Sequence, residues 1–155
     1  MTLCTNANGD RFEALLEVAE NEVDAAALDY PLTHALVVAR AQSGFLLLFN
    51  AWKNHWEVAG GILEPGESLR ECAIREMAEE TNQVAARLVF RGLMKFVLSN
   101  GKTEYGGLFC ASIEERRPFA PNDEAREIVF WDRESDIGYV DEIDLALLDY
   151  YLEPQ

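Results

Sequence analysis

Cysteine is scarce in this sequence, and its three cysteines, Cys4, Cys72 and Cys110, are far apart. No Cys-x-x-Cys pair occurs, so the pattern that structural zinc sites commonly use is absent. A structural zinc site and a disulfide framework are therefore disfavoured. The sequence instead predicts free thiols in a reducing compartment.

Long apolar runs are also missing. No segment approaches the roughly 20 apolar residues that cross a bilayer, and the N-terminal segment MTLCTNANGDRFEALLE lacks the basic-then-apolar pattern of a signal peptide. The 155 residues are nevertheless 49% hydrophobic, which suits a folded core and excludes a disordered chain. We therefore expect a single domain over residues 1–155, located in the cytoplasm and not bound to a membrane.

Basic residues are few as well. The chain has 13 Lys and Arg against 28 Asp and Glu, which gives a formal net charge of -15. Nucleic acids and anionic membranes attract proteins mainly through positive charge, so both are disfavoured as partners. A small phosphorylated substrate is still compatible with this charge, but it needs a divalent cation to mediate its approach to carboxylates.

Apolar patterning predicts helices at both ends of a set of strands. A helix is expected at residues 10–29, where Phe12 and Leu15 have a helical spacing, although Val23 and Leu28 also suit an extended segment. A closing helix is expected at residues 141–152. Strands are expected at residues 33–40, 45–50, 86–98, 103–113 and 127–132, with loops at residues 51–57 and 114–125. The predicted fold class is α/β: an α/β/α sandwich around a central mixed sheet.

The stretch from Gly61 to Gln83, GILEPGESLRECAIREMAEETNQ, combines a glycine turn, a helix and a group of carboxylates. Ser68 and Glu71 have the spacing of a capping box, so the helix is expected to begin at Ser68. At about 100° per residue, three carboxylates share one face and three apolar side chains lie opposite. The carboxylates are Glu76, Glu79 and Glu80, and the apolar residues are Ile74, Met77 and Ala78.

Composition alone favours a solvated surface for this helix, because glutamate-rich faces usually point to water. The spacing of the stretch favours a functional site. It resembles the signature of the Nudix hydrolases (MutT-like phosphohydrolases) at seven positions: Gly61, Glu67, Arg75, Glu76, Met77, Glu79 and Glu80. Two positions depart from that signature. Asn82 replaces a glycine, for which Asn is the usual substitute in the left-handed region, and Gln83 replaces an aliphatic residue.

The resemblance implies a metal centre for Mg²⁺, with Mn²⁺ as a substitute, because clustered carboxylates are hard oxygen ligands. It assigns Glu76, Glu79 and Glu80 to the metal, together with a backbone carbonyl near Gly60, and makes Glu79 either a ligand or a catalytic base. Glu80 is also expected to be catalytic. Gly61, Glu67 and Arg75 are expected to support the site. A late-loop acid often joins the site in this family, and Glu124 is the prediction here over Glu114, Glu115, Asp123 and Glu127.

The implied reaction is hydrolysis of the diphosphate bond in a nucleoside diphosphate linked to a group X. The favoured substrate is a (deoxy)nucleoside triphosphate, including oxidised forms of the 8-oxo-dGTP type, cleaved to the monophosphate, and ADP-ribose and nucleotide sugars are the alternatives. A Nudix module that binds a nucleotide without cleaving it is the alternative from a different class. Trp52, Lys53, Phe96 and Tyr105 are predicted to contact the nucleotide, and a homodimer is compatible with the sequence.

Overall fold

The structure is a computed structural model that describes residues 1–155, and a sheet of nine strands forms its centre. The strands are β1 (Cys4–Thr5), β2 (Arg11–Leu16), β3 (Leu32–Ala41), β4 (Gly44–Asn50), β5 (His55–Glu57), β6 (Ala59–Ile62), β7 (Arg87–Val97), β8 (Thr103–Ser112) and β9 (Glu127–Trp131). Their order is β1-β2-β7-β8-β3-β4-β5, with β6 beside β3 and β9 beside β4. The β3–β8 pair is parallel and the other strand pairs are antiparallel, so the predicted mixed sheet is confirmed.

Two helices cover the two faces of this sheet. Helix α1 (Leu69–Thr81) packs on the face that carries Val37, and helix α2 (Glu142–Leu147) packs on the face that carries Val38. The two valines point in opposite directions because successive side chains of a strand alternate. Each face therefore has its own hydrophobic core, and the predicted α/β/α sandwich is confirmed. Neither helix is long and apolar enough to cross a membrane.

The helix predicted at residues 10–29 is wrong. Its first part is strand β2, and its remainder holds only two short 3₁₀ turns at Glu20–Glu22 and Ala25–Ala27. A bulge between Phe12 and Ala14 explains the misleading pattern, because it places Phe12 opposite Phe96 and Leu15 opposite Met94. The bulge turns two apolar residues three positions apart toward the same core, which imitates a helical spacing.

The remaining elements lie close to their predicted positions. The five predicted strands occur with shifts of at most one residue at each end, and residues 114–125 form no helix or strand. The predicted loop at residues 51–57 also contains β5, which pairs with the end of β4. The closing helix is shorter than predicted: α2 ends at Leu147 and continues as a 3₁₀ turn at Leu148–Tyr150. All three cysteines are free, as expected.

Candidate metal centre

Helix α1 has defined caps at both ends. Ser68 is the N-cap: its hydroxyl accepts a hydrogen bond from the Glu71 N–H (3.1 Å), and the Glu71 carboxylate accepts one from the Ser68 N–H (2.9 Å). Asn82 is the C-cap in the left-handed region, with φ 58°. Both caps were predicted, and together they fix where the carboxylates of the helix lie.

The predicted division of α1 into opposite carboxylate and apolar faces is wrong in part. Met77 is buried, but Ile74 is 49% exposed and Ala78 also faces solvent. Glu76 and Glu80 are only 8% and 5% exposed, so they lie on the buried side of the helix. This side faces β6, where glycines leave space that carboxylates can occupy.

Strand β6 approaches these carboxylates closely. The Gly60 N–H donates a hydrogen bond to Glu80 Oε1 (2.8 Å). A Cβ at Gly61 would lie 2.6 Å from both Glu76 carboxylate oxygens, so a larger residue there would displace that side chain. Below the strand, the Cys72 thiol donates to the Gly61 carbonyl (3.3 Å). Close contact with the helix therefore requires glycine at Gly61, whereas a Cβ at Gly60 would meet the Ala35 carbonyl of β3.

Three carboxylates converge at this point. One oxygen each from Glu76, Glu80 and Glu124 lies within 4.8 Å of the others, and Glu124 is the exposed member. The structure thus brings the late-loop acid predicted from the sequence to two of the three helix acids. Glu79 is not in this cluster; its side chain is 55% exposed and accepts a hydrogen bond from Arg75 Nη1 (3.2 Å).

The cluster carries poorly compensated negative charge. The pKa of Glu80 is raised to about 9: burial is the largest cause, the charges of Glu76, Glu57 and Glu124 add to it, and the Gly60 N–H offsets only part of the rise. Burial also raises the pKa of Glu76, against the lowering effect of Arg75. Carboxylates held together without sufficient cationic neighbours form a donor set that fits a hard divalent cation.

Arg75 of α1 holds the end of β6 and the connection that follows it against the helix. Its guanidinium makes a two-bond contact with Glu67, through Nε (2.6 Å) and Nη2 (2.8 Å), and donates to the Ile62 carbonyl (3.1 Å). A third nitrogen, Nη1, lies 2.8 Å from Glu76 Oε1. Arg75 lowers the pKa of Glu67 to about 2, so this pair stays ionised. Glu67 and Arg75 thus hold the connection between β6 and α1 on the helix, and their role in supporting a metal site stays a prediction.

Asn122 was missed in the sequence. Its Nδ2 donates to the Glu80 carbonyl (3.0 Å), while its Oδ1 accepts from the N–H groups of Glu124 (3.0 Å) and Ala125 (2.8 Å). It therefore connects the end of α1 to the residue that supplies the third carboxylate. The signal available in the sequence was Pro121-Asn122-Asp123, since Asn commonly bonds to backbone two or three residues ahead in turns.

A cavity of about 210 Å³ opens on the α2 face of the sheet, and none of the three cluster carboxylates lines it. Glu57 links the two, because it lines the cavity and its charge also raises the pKa of Glu80. Other lining residues are His34, Lys53, His55, Phe96, Glu104 and Asp144. The structure thus brings Lys53 and Phe96, two of the predicted nucleotide contacts, to one cavity.

Tyr105 does not reach this cavity. It is 5% exposed, and its hydroxyl donates to Asp29 Oδ1 (2.8 Å). Phe96 pairs with Glu104 across β7 and β8, so Glu104 shares its face and Tyr105 points to the other one. Trp52 is 86% exposed, and its indole N–H donates to the Asp123 carbonyl (3.1 Å), which places it at the loop that carries Glu124.

Comparisons with known proteins agree with this architecture. Residues 29–145 match the family model described as NUDIX domain. A protein of Bacillus subtilis (strain 168), described as the uncharacterized Nudix hydrolase YvcI, is 33% identical over 64 residues, which are 41% of this chain and 40% of that protein. The match therefore spans about two fifths of that relative's length.

Solved structures show the same fold. A variant of the Bacillus subtilis pyrophosphohydrolase BsRppH matches with a TM-score of 0.68 and 23% identity, over 88% of this chain and 81% of that one. The NUDIX domain of Shewanella oneidensis NrtR, complexed with ADP ribose, matches with a TM-score of 0.63 and 15% identity, over 84% and 92% of the two chains. The family match includes the whole of α1, Glu124 and all of the cavity's lining residues except Asn6 and Asp10. The chain belongs to the Nudix hydrolase family.

Proposed function

We propose that this protein is a Mg²⁺-dependent pyrophosphohydrolase, with Mn²⁺ as a substitute ion, that cleaves the diphosphate bond of a nucleoside diphosphate linked to X. The observation that carries the proposal is the convergence of Glu76, Glu80 and Glu124 within 4.8 Å. A surface helix would keep such acids apart in water, whereas two of these are buried.

Glu76, Glu80 and Glu124 would hold the ion, with the backbone carbonyl near Gly60 as the further ligand implied by the family. When bound, the ion neutralises phosphate charge and stabilises the charge that develops on the leaving oxygen. Gly60 N–H fixes one Glu80 oxygen, and Arg75 fixes Glu76, so both carboxylates are oriented before substrate arrives.

The attacking water must lose a proton to a carboxylate at the solvent-facing edge of the cluster. Glu124 and Glu79 are the two exposed candidates. Glu124 is already in the cluster, whereas Glu79 is held by Arg75. We therefore assign the proton acceptor to a carboxylate oxygen of Glu124 and keep Glu79 as the alternative base.

The nucleoside would occupy the 210 Å³ cavity, where Phe96 offers an aromatic surface and Lys53 a positive charge. His34 and Glu104 form a polar pair there, with His34 Nδ1 3.0 Å from Glu104 Oε2, and they can bond to base edges. A (deoxy)nucleoside triphosphate, including oxidised purine forms, is the proposed substrate, with the monophosphate as product. ADP-ribose and nucleotide sugars are the alternatives, supported by the NrtR domain that binds ADP ribose.

Product identification over a panel of nucleotides with Mg²⁺ tests this proposal. We expect cleavage at a diphosphate bond, at least 100-fold slower in Glu80→Gln and unchanged in Glu134→Gln, an exposed acid outside the cluster and the cavity. Nucleotide binding without cleavage would instead support the non-catalytic module, and full turnover by Glu80→Gln would contradict the proposed metal centre.

A further inference from the structure

We propose that Gln83 and Asn82 are positioning residues that hold the late loop, residues 114–125, so that Glu124 reaches the metal centre. This inference rests on the proposed function, because it gives a role to the third carboxylate of that centre. The two residues stand where this chain departs from the family signature. They lie one and two positions beyond the last residue of α1 and do not belong to the carboxylate cluster.

Gln83 contributes the main contact. Its side chain is completely buried, although its amide is polar. Gln83 Nε2 donates to the Arg117 carbonyl (2.7 Å), and Gln83 Oε1 accepts from the Arg117 N–H (3.0 Å). The amide thus binds both backbone groups of one loop residue, as a neighbouring strand would. An aliphatic side chain cannot make either bond.

Asn82 adds a contact at the next residue of the loop. Its Nδ2 donates to the Pro118 carbonyl (2.7 Å) while its backbone caps α1 in the left-handed region. Glycine allows the same backbone conformation but has no side chain to reach Pro118. Both departures from the signature therefore attach the start of the late loop to the end of the metal-binding helix.

The far end of the loop is attached to the same helix end through Asn122, which bonds to the Glu80 carbonyl and to the Glu124 N–H. Ala125, directly after Glu124, is completely buried. The loop has no regular secondary structure, and the Glu124 side chain is exposed, so packing around that side chain does not fix it. Its distance to Glu76 and Glu80 depends on these backbone attachments at both ends of the loop.

The test is a double-mutant cycle that measures Mn²⁺ affinity by calorimetry on wild type, Gln83→Leu, Glu124→Gln and the double variant. Leucine has a similar volume and is the kind of residue that the family signature has here. We expect Gln83→Leu to weaken Mn²⁺ binding about tenfold, the lower end of the range for residues that orient metal ligands, and to have little further effect when Glu124 is already Gln. An equal loss in both backgrounds would overturn the proposal, because it would show a general structural effect.

Hydrogen exchange gives a second readout that needs no metal. The N–H groups of Arg117, Glu124 and Ala125 donate hydrogen bonds to the side chains of Gln83 and Asn122. Gln83→Leu should therefore speed the exchange of these N–H groups, while the N–H groups of β7 and β8 stay protected. Unchanged exchange in the loop would contradict the proposal that the Gln83 hydrogen bonds hold the loop in place.

Asn82→Gly is the milder variant if Gln83→Leu does not fold, because it keeps the helix cap and removes only the bond to Pro118. We expect it to weaken Mn²⁺ binding less than Gln83→Leu does. If both the Mn²⁺ affinity and the exchange of the loop are unchanged, the result contradicts the proposed positioning role. Both readouts are independent of turnover. If Mn²⁺ binds through Glu124 and no nucleotide is cleaved, the proposed function fails while the positioning role stands.

Discussion

Glu80 has few compensating partners for a buried carboxylate: a single backbone N–H donates to it, and three acids surround it. Burying a charge without a partner is unfavourable, so such a residue is retained where it performs a function. Glu79, the adjacent acid, has the opposite situation, since it is exposed and bound by arginine. The sequence assigned both to the same face, and burial distinguishes them.

Glu80→Gln and Glu79→Gln should therefore differ. We expect Glu80→Gln to weaken Mn²⁺ binding by about 100-fold, the upper end of the range for residues around a metal site. At neutral pH it should also raise the metal-free free energy of unfolding by about 1 kcal/mol, because the wild-type fold must keep this buried carboxyl protonated at a pH where the unfolded chain ionises it. Glu79→Gln should weaken Mn²⁺ binding only a few-fold. Calorimetry with Mn²⁺ and urea unfolding in EDTA measure the two quantities, and equal effects of both variants would contradict this ranking.

Asp144 in the cavity predicts a pH-dependent stability. Burial raises the pKa of this carboxyl well above its usual range, and Asp141 and Glu57 raise it further, while the Val58 N–H lowers it. The folded protein then holds the proton more tightly than the unfolded chain, so the free energy of unfolding falls as pH rises from about 4 toward the folded-state pKa.

Asp144→Asn removes this pH-dependent fall in the free energy of unfolding, because the amide does not ionise. Its oxygen can still accept the hydrogen bond from the Val58 N–H. We expect the variant and wild type to be equally stable near pH 3. At pH 7 to 8 the variant should be more stable by about 1.4 kcal/mol for each unit of pKa shift. Urea unfolding at both pH values measures the difference. A variant that is less stable at pH 8 would show that the ionised carboxylate is favourable in the fold.

Elements near the site were predictable where the chemistry is local. The capping box of α1 and its Asn82 cap depend on neighbouring residues, so their positions follow from the sequence. Strand β2 and the late loop depend on contacts with distant residues. The bulge that aligns Phe12 with Phe96, and the bonds from Gln83 to Arg117, have no local signal. Glu124 was selected among several acids because of the family pattern, and only the folded loop brings it to the helix.

The contact between β6 and α1 gives a prediction at the scale of elements. Gly61→Ala should push the Glu76 carboxylate out of the cluster, since the added Cβ would lie 2.6 Å from its oxygens. We expect Mn²⁺ affinity to fall about tenfold, as for other residues that orient ligands, measured by calorimetry.

Gly66→Ala is the matched control. Gly66 lies in the connection between β6 and α1 at φ 79°, and no atom lies within 4 Å of the added methyl group. The variant should therefore cost about 1 kcal/mol of stability without changing Mn²⁺ affinity. If both variants bind Mn²⁺ equally well, the close contact at Gly61 does not determine the position of Glu76.

Charge dominates the behaviour of the whole molecule. With a net charge of -15 and a cluster that joins α1 to a loop more than 40 residues further along the chain, the protein should be stabilised by a divalent cation. A ligand at 100 times its dissociation constant adds about 2.7 kcal/mol, which corresponds to a Tm increase of roughly 5–10 °C at this size.

Thermal unfolding with Mg²⁺ or Mn²⁺ and with EDTA measures this increase. NaCl at matched ionic strength is the control for screening of surface repulsion, and it should raise Tm much less. Glu80→Gln and Glu124→Gln should lose most of the divalent effect. An equal increase with NaCl would assign the stabilisation to screening and not to the cluster.

Cys72 lies beneath the glycine strand with its thiol bonded to the Gly61 carbonyl, and burial raises its pKa to about 11. A thiol that is both covered and protonated barely reacts with alkylating reagents. Such a reagent can modify Cys72 only when α1 separates from β6. The rate at which Cys72 is labelled therefore measures how often the helix and the strand separate. Labelling at Cys72, separated from that at the partly exposed Cys4 by peptide analysis, is thus a native chemical reporter of how a cation closes the helix onto the strand.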